Sequence, residues 1–442
     1  MPRAKGADMK RMKILASVCT GVMCLALLII GVWAAVVANF GINTKLTFSP
    51  DGVYVELSGQ VYRGASYDRL TPLYDDPSFT LEKCKNYTLD EQGTQSAYSV
   101  PQWTTNEILF LPSEKVVQFR INITNKGDER ITVLPSNDIS IANVSVVEEL
   151  SDVLAIPSGE THEYRLTVTV GTEAIKSVPL EAGLQILKTS NIENPESNFV
   201  MDTTTKTELK SINANYSNPV YGDKIIVFPS SVNGNQVLSF KKCDLGDMTS
   251  AFENLKSTTK YLIFPEGLKT LGNDVFGFSS SLVNNLKAIY LPKSLSDIGS
   301  SVFYYMSSLT SINIPATLTK LGSCNFSDCS SLLSIKLPNC VTKFSLGDSF
   351  SGCTSLASIT IPSSMTDIII NVFNDCTSLT SIYMEGAAPN LGGSGVFGFS
   401  TNAPYINKGF KIYVKAEYLS TYQEKFDTMT WGFYQDKIEI YG

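Results

Sequence analysis

A single histidine, His162, occurs among the 442 residues of this sequence. Zinc sites that use two or three histidines are therefore excluded, and a histidine-dependent catalytic triad would have to use this one residue. His162 stands at the start of a predicted strand with no recognisable nucleophile nearby, so we interpret it as an exposed strand residue. The sequence also contains no Cys-x-x-Cys pair, which argues against a zinc ribbon and against a thioredoxin-type redox site.

Catalytic motifs are missing as well. There is no Gly-x-Ser-x-Gly, no phosphate-binding glycine loop ending in Lys-Ser or Lys-Thr, and no His-Glu-x-x-His. The glycine-rich segment Leu391–Gly395 follows no βαβ strand, and acidic pairs such as Asp75 and Asp76 lie in predicted loops. We therefore predict that the protein is not an enzyme and has no catalytic, cofactor-binding or metal-binding residues.

Basic residues are in the minority, because 35 lysines and arginines face 42 aspartates and glutamates, for a formal net charge of −7. Such a chain has no general attraction for phosphate backbones, so we predict no nucleic-acid partner. Hydrophobic residues make up 43% and charged residues 17% of the chain, a composition typical of folded proteins. The length favours two or three domains.

The amino terminus predicts export. Residues 1–13 form a basic segment that stays in the cytoplasm, and residues 14–38 form a signal peptide or a signal-anchor helix. The uncharged run Ile14–Val37 has 24 residues. As a helix it would be about 36 Å long, enough to cross a hydrocarbon core of about 30 Å. If the chain is cleaved after Ala38, the rest of the protein is secreted. If the helix is retained as an anchor, the rest of the protein lies on the extracellular face of the plasma membrane, with the amino terminus inside. The membrane is a partner only if the helix is retained.

Residues 43–190 read as short strands separated by turns. Val53–Leu57, Val117–Ile123 and Tyr164–Val170 alternate apolar and polar residues, as half-buried strands do. We predict a β-sandwich, and the segment Phe119–Gly127 resembles strand-turn segments of immunoglobulin-like modules in bacterial surface proteins. Residues 191–221, rich in Asn, Thr and Ser, are predicted to be a linker.

Beyond this segment the chain repeats itself. A phenylalanine that precedes a turn recurs at intervals of 24, 27, 23, 24, 23 and 24 residues. These residues are Phe252, Phe276, Phe303, Phe326, Phe350, Phe373 and Phe397. A strand that usually ends in proline, as in Ile312–Pro315 and Ile359–Pro362, recurs in phase with them, and so does a position occupied by Cys329, Cys353 and Cys376. Repeats of this length predict a solenoid.

The segments Phe326–Pro338 and Phe350–Pro362 resemble the BspA-like class of leucine-rich repeats, whose units read roughly Phe-x-x-Cys-x-Ser-Leu-x-x-Ile-x-Ile-Pro. The resemblance implies a leucine-rich-repeat solenoid over residues 222–415 and a C-terminal cap over 416–442. The whole fold is therefore predicted to be mainly β. The repeat departs from the pattern in the long unit between Phe276 and Phe303 and in the glycine-rich last unit.

Stacked repeats predict columns of like side chains along the solenoid axis. The phenylalanines should form a buried spine, and the three repeat cysteines should be small buried residues that form no disulfides. The ends of such a stack must be sealed. Tyr418, Tyr422 and Phe426 lie at helical spacing and predict a short capping helix, followed by a final strand at Lys437–Ile440. The linker or the sandwich should cover the first unit.

Alternation within the repeat strands places two further columns on the outer face. We predict that this exposed strip binds a partner, because tyrosine combines a large contact area with a polar tip and solenoids commonly bind through this face. The candidate binding residues are Tyr261, Tyr290, Asn313, Lys336, Thr360, Tyr383, Lys411 and Tyr413.

The leading hypothesis for function is a cell-surface or secreted leucine-rich-repeat binding protein. The BspA-like resemblance implies adhesion, with an extracellular protein or glycan as the ligand. Two alternatives stay open at this point: a carbohydrate-active enzyme or carbohydrate-binding module in the sandwich, and a passive surface spacer.

Overall fold

The computed structural model of this chain describes residues 41–51, 53, 55–64, 70–72, 102–104, 108–110, 115–135, 139, 141, 144–150, 154–170, 178–218, 221–240, 251–276, 283–344, 349–369, 371–393, 396–397 and 409–441. The predicted membrane helix over residues 14–38 lies outside these residues. In the described part of the chain, every helix is too short or too polar to cross a bilayer.

The described residues between 41 and 188 form two sheets, which we call the two-sheet module. Its strands are β1 (Gly41–Asp51), β2 (Val55–Gly64), β3 (Leu70–Pro72), β4 (Gln102–Thr104), β5 (Ile108–Leu109), β6 (Val116–Asn125), β7 (Ile131–Pro135), β8 (Val144–Glu149), β9 (Ala155–Ile156), β10 (Thr161–Val170) and β11 (Val178–Lys188). One sheet has the order β4-β1-β11-β7-β9, with β5 also paired to β1, and the other has the order β3-β2-β6-β10-β8. The long strands β1 and β11 pair in parallel, whereas β6 pairs antiparallel with both β2 and β10.

Both sheets contribute to one hydrophobic core. On β6, Phe119 and Ile121 are buried in it, as Val133 is on β7 and Ile186 on β11. The strands predicted from alternation over Val117–Ile123 and Tyr164–Val170 are confirmed, and the first begins at Val55 instead of Val53. Alternation gives each strand one apolar face, and the second sheet covers that face. The resemblance to immunoglobulin-like modules stays a prediction.

The described residues from 189 onward wind into a solenoid with two columns of strands. The front column contains β14 (Ile225–Val227), β18 (Tyr261–Ile263), β20 (Ala288–Tyr290), β23 (Ser334–Lys336), β25 (Ser358–Ile361), β27 (Ser381–Met384), β29 (Lys411–Lys415) and β30 (Ile438–Tyr441). The back column contains β12 (Phe199–Met201), β13 (Glu208–Ile212), β17 (Ser239–Phe240), β19 (Thr270–Leu271), β21 (Asp297–Ile298), β22 (Lys320–Leu321), β24 (Lys343–Phe344), β26 (Asp367–Ile368) and β28 (Asn390–Leu391). A hairpin of β15 (Ser231–Val232) and β16 (Asn235–Gln236) follows the first front strand. From one repeat to the next, the paired strands run parallel.

The phenylalanine spine is confirmed as one continuous stack from Phe303 to Phe397, whereas Phe252 and Phe276 form a separate ring contact before it. Phe326 and Phe350 are stacked with ring centroids 5.4 Å apart, and Phe350 and Phe373 follow at 5.7 Å. The spine continues to Phe303 on one side and to Phe397 on the other. These rings are buried because each repeat offers one apolar side, and only the neighbouring repeats can cover it.

The repeat cysteines are fully buried thiols, as predicted. Each thiol donates a hydrogen bond to the carbonyl oxygen of a spine phenylalanine in the preceding repeat. The pairs are Cys329 to Phe303 at 3.1 Å, Cys353 to Phe326 at 3.0 Å and Cys376 to Phe350 at 3.1 Å. Burial raises the pKa of Cys329 to about 12 and also raises those of Cys353 and Cys376. The column therefore ties neighbouring repeats together and holds the thiols in their unreactive protonated form.

The residues expected to form a linker are instead folded. Between 189 and 198 there are two short 3₁₀ helices, Thr189–Ile192 and Glu196–Asn198, and β12 and β13 follow them. Leu209 and Tyr216 are fully buried in the solenoid core, and β13 pairs in parallel with β17. Polar residues dominate this segment because it is the first layer of the stack and its outer side faces water. It is the cap that covers the first repeat.

The C-terminal cap is confirmed in outline. A 3₁₀ turn (Ala416–Tyr418) leads into the short helix α1 (Leu419–Gln423), and a second 3₁₀ helix (Trp431–Lys437) precedes β30. Trp431 Nε1 donates to the carbonyl of Pro389 at 2.8 Å, and the Tyr422 hydroxyl donates to the carbonyl of Gly386 at 3.0 Å. These bonds satisfy backbone carbonyls of the last repeat that would otherwise be left without a partner.

Candidate binding face of the repeat domain

Side chains of the front strands alternate between two environments. The central residue of each early strand, such as Ile226 or Leu262, is buried in the solenoid core, and its neighbours point outward. In the first three strands the outward residues are apolar and belong to the core of the two-sheet module. They are Ile225, Val227, Tyr261, Ile263, Ala288 and Tyr290. The two-sheet module therefore lies on the first part of the front face.

The expected exposure of the strip is consequently wrong at its first two residues. Tyr261 is 9% exposed and Tyr290 is 6% exposed. The Tyr290 hydroxyl donates to Glu266 Oε1 at 2.7 Å, and the guanidinium of Arg130 from the two-sheet module lies 5.7 Å from its ring centroid. Burial raises the pKa of Tyr290, and the nearby carboxylate of Glu266 raises it further. Both tyrosines hold the two parts of the chain together.

Polar contacts surround this apolar contact area. Arg130 forms an ion pair with Glu266 at 3.7 Å, and Lys293 of the solenoid pairs with Glu160 of the two-sheet module. His162 also contacts Glu160, at 2.9 Å, and its side chain is only 16% exposed. The expectation of an exposed His162 is therefore wrong, although its place in a strand is confirmed. Its imidazole contacts the Glu160 carboxylate that pairs with Lys293, and so it supports the ion pair between the two parts of the chain.

The Glu160 carboxylate is held in its charged form. Burial raises its pKa, but hydrogen bonds from His162 and Lys293 and the charge of Lys293 lower it more, so that the pKa lies below its usual value. This carboxylate therefore links the two parts of the chain most strongly when it is ionised.

The contact area ends near Thr310, whose hydroxyl donates to the backbone carbonyl of Glu148 at 3.1 Å. The segment Ile312–Pro315, predicted as a strand, is not one, and the front sheet is interrupted between β20 and β23. The interruption separates a covered part of the front face from an uncovered part.

The uncovered part carries the other six predicted site residues, and its outward positions are mostly polar. Asn313 and Lys336 are exposed, while Thr360, Tyr383, Lys411 and Tyr413 are half-buried. In the register of the sheet, Thr360, Tyr383 and Tyr413 are direct neighbours on consecutive strands, and Ser381 neighbours Lys411. The structure therefore brings four of the six into one continuous patch, with Lys336 beside Thr360. Asn313 lies in the interrupted segment between β20 and β23.

Three tyrosines form the centre of this patch. The rings of Tyr383 and Tyr413 are stacked 4.9 Å apart at an angle of 14°, and Tyr441 meets the ring of Tyr383 edge-on at 5.4 Å. Tyr441 is absent from the sequence-based prediction. Outward residues recur at every second position, from Lys437 through Glu439 of the final strand to Tyr441. Extending the predicted column of outward residues into this strand would therefore have included Tyr441.

Charged residues around the tyrosines are mostly paired with each other. Lys411 pairs with Glu439 at 2.8 Å, and Lys415 pairs with Glu385 at 3.3 Å. The hydrogen bond to Glu385 raises the pKa of Lys415. Lys336 forms no ion pair with the described residues and is the free positive charge of the patch. In the described part of the chain, no three ligating side chains are grouped to hold a metal ion.

Residues 278–403 match the family model of the BspA type leucine rich repeat region in 6 copies, so this part of the chain is a BspA-type repeat region. A search of curated proteins finds no match. The chain is similar to the solved structure of a T. pallidum leucine-rich repeat protein, with 25% identity and a TM-score of 0.37, covering 46% of this chain and 87% of that one.

Two further structures are more distant. A leucine-rich repeat protein from Bacteroides ovatus is 19% identical with a TM-score of 0.32, covering 51% of this chain and 64% of that one. The pneumococcal vaccine antigen PcpA is 16% identical with a TM-score of 0.27, covering 57% of this chain and 47% of that one. The chain thus spans less than two thirds of both.

Proposed function

We propose that the BspA-type repeat region makes this chain a cell-surface or secreted binding protein, and that the uncovered front face binds an extracellular protein. The observation that carries the proposal is that the outward side chains of the front strands change from apolar to mostly polar along the solenoid. Where the two-sheet module covers the face, the outward side chains are apolar. From Asn313 onward the described outward side chains of the front strands are mostly polar, and all of them except Ser381 are at least partly exposed. The proposed function is binding, without catalysis.

The tyrosine cluster is the expected centre of binding. Tyrosine is enriched at protein interfaces because its ring buries a large area and its hydroxyl retains a hydrogen-bonding group. Tyr383 and Tyr413 are already held in place by their mutual stacking, so little side-chain entropy remains to be lost on binding. The ion pairs on both sides keep charges near the cluster neutralised.

The size of the face sets the expected affinity. The front sheet from β23 to β30 has five strands of three to five residues. At about 4.8 Å between strands and about 3.3 Å per residue, its area is roughly 320 Å². A standard interface buries about 800 Å² on each partner. We therefore expect a weak interaction, with a dissociation constant in the micromolar range or above, and avidity if several copies are displayed on one surface.

Surface plasmon resonance tests the proposal. The full chain is passed at micromolar concentrations over immobilised fibronectin, collagen and mucin, with deglycosylated mucin as a separate channel. We expect saturable binding that falls at least about tenfold when Tyr383 and Tyr413 are both replaced by alanine, since two central aromatic contacts are lost. A Tyr304→Ser variant, which removes an exposed tyrosine from a turn outside the front strands, should bind normally.

Three outcomes would contradict the proposal. Unchanged binding by the double variant would remove the tyrosine cluster from the site. Binding to mucin that disappears on deglycosylation would favour a glycan ligand. The absence of saturable binding to every probe would favour a passive spacer.

A further inference from the structure

The outer face of the sheet β3-β2-β6-β10-β8 carries two arginines side by side. Arg120 on β6 and Arg165 on β10 are direct neighbours in the antiparallel register. Like charges opposite each other on neighbouring strands destabilise a sheet unless other groups compensate them. The two side chains are compensated in different ways, and this difference points to a binding site.

Arg165 is neutralised by carboxylates of the protein. Its Nε lies 2.7 Å from Glu163 Oε1, and its Nη1 lies 3.5 Å from Glu149 Oε2. Arg120 has no carboxylate within ion-pair distance among the described residues. Its Nε donates instead to the amide oxygen Oε1 of Gln118 at 2.6 Å.

The guanidinium of Arg120 is nevertheless held in place. Its Cζ lies 4.0 Å from the ring centroid of Tyr62, so the ring supports the guanidinium by a cation–π contact. Gln118 is 1% exposed, and its Nε2 donates to Thr167 Oγ1 at 2.9 Å, which fixes the orientation of the amide that accepts from Arg120. Tyr62 is fixed in turn, because its hydroxyl donates to Gln60 Oε1 at 3.0 Å.

This arrangement leaves the outer side of the guanidinium for a ligand. Nε is occupied by Gln118, whereas Nη1 and Nη2 bond to no other described group. A guanidinium binds a carboxylate through two parallel N–H···O bonds, and a side chain that is already fixed loses little entropy in doing so. In a chain with a net charge of −7, a fixed arginine without an acidic partner stands out.

We propose that Arg120, supported by Tyr62 and Gln118, is a binding site for the carboxylate group of an acidic ligand. The carboxylate would belong to an acidic sugar or to an acidic amino-acid residue. The exposed side chains of Ser58 and Asn122, register partners on β2 and β6, lie next to Gln60 and Arg120 along these strands and offer further hydrogen bonds. The site is independent of the binding function proposed for the repeat region.

Isothermal titration of the full chain at constant ionic strength tests this site. The probes are sodium glucuronate, glucose as the uncharged sugar and N-acetylglutamate as the acid without a sugar ring. We expect glucuronate to bind and glucose not to bind. Arg120→Gln should weaken binding at least about tenfold, because hydrogen bonds to a charged group are lost. Arg120→Lys should also weaken it, because an ammonium cannot form the two parallel bonds.

Arg165→Lys is the matched control, since it changes the neighbouring arginine in the same way and should leave binding unchanged. Thermal unfolding checks that each variant is folded, and the double variant at Tyr383 and Tyr413 should bind glucuronate normally. Equal binding of N-acetylglutamate would identify the carboxylate alone as the determinant, and a preference for glucuronate would identify an acidic sugar. Absence of binding by both acids, full binding by Arg120→Gln, or an equal loss in Arg165→Lys would overturn the proposal.

Discussion

Tyr290 and Tyr383 occupy the same position in two different repeats, so they offer a direct test of the docking between the two parts of the chain. Tyr290 is 6% exposed beneath the two-sheet module, whereas Tyr383 lies half-buried on the uncovered face. We expect replacement of each by alanine to have very different effects on the free energy of unfolding. In isolated repeats without the module, the two changes would be nearly equivalent.

The structure sets the size of the difference. Alanine in place of a fully buried aromatic side chain costs about 3–5 kcal/mol, and this range applies to Tyr290. Tyr383 loses mainly its ring contacts with Tyr413 and Tyr441, each of which contributes about 0.5–1.5 kcal/mol. We therefore expect Tyr290→Ala to destabilise the protein by about 2 kcal/mol more than Tyr383→Ala.

Urea denaturation of the full chain, followed by circular dichroism and fluorescence, measures this difference. Tyr290→Phe keeps the ring and removes only the hydrogen bond to Glu266, and should cost about 1–2 kcal/mol. Equal destabilisation by Tyr290→Ala and Tyr383→Ala would refute the docking of the two-sheet module on the front face. So would a neutral effect of Tyr290→Ala.

Two further predictions concern a turn and a pH dependence. Tyr305 has a left-handed φ of 62°, and the equivalent position of the next repeat is Asp328, with a φ of 61°. Because asparagine adopts this conformation with less strain than tyrosine, Tyr305→Asn should stabilise the protein by about 1 kcal/mol in urea denaturation. Tyr304→Asn removes the same ring contact without relieving strain, so equal effects of the two changes would contradict this explanation. Glu160 has a lowered pKa in the folded protein, so its contribution to stability is present above the unfolded value of about 4.3 and is lost as the pH falls through the folded value. Lys293→Ala should reduce that loss in thermal unfolding between pH 3 and pH 7, and an unchanged pH profile would contradict the role of this ion pair.

The repetition in the sequence determined most of the internal packing of the repeat domain. The spacing of the phenylalanines predicts the spine, and the phase of Cys353 and its neighbours predicts their burial, because every repeat meets an almost identical neighbour. Alternation likewise predicts which residues of each front strand point outward. The sequence also contains a signal for the docking, since the outward residues Val227 and Ile263 are apolar. Their meaning becomes clear only when the surface that covers them is known.

Tertiary structure alone decided which outward residues are available to a partner. Tyr290 and Tyr383 occupy the same position in the repeat, and contacts with residues distant in the chain, such as Arg130, bury the first. The same holds for Arg120 and Arg165, whose different partners depend on strand register. A repeat pattern predicts how a residue packs against its neighbours in the stack. Its exposure also depends on the packing of a separate module, and that packing follows from the folding of the whole chain.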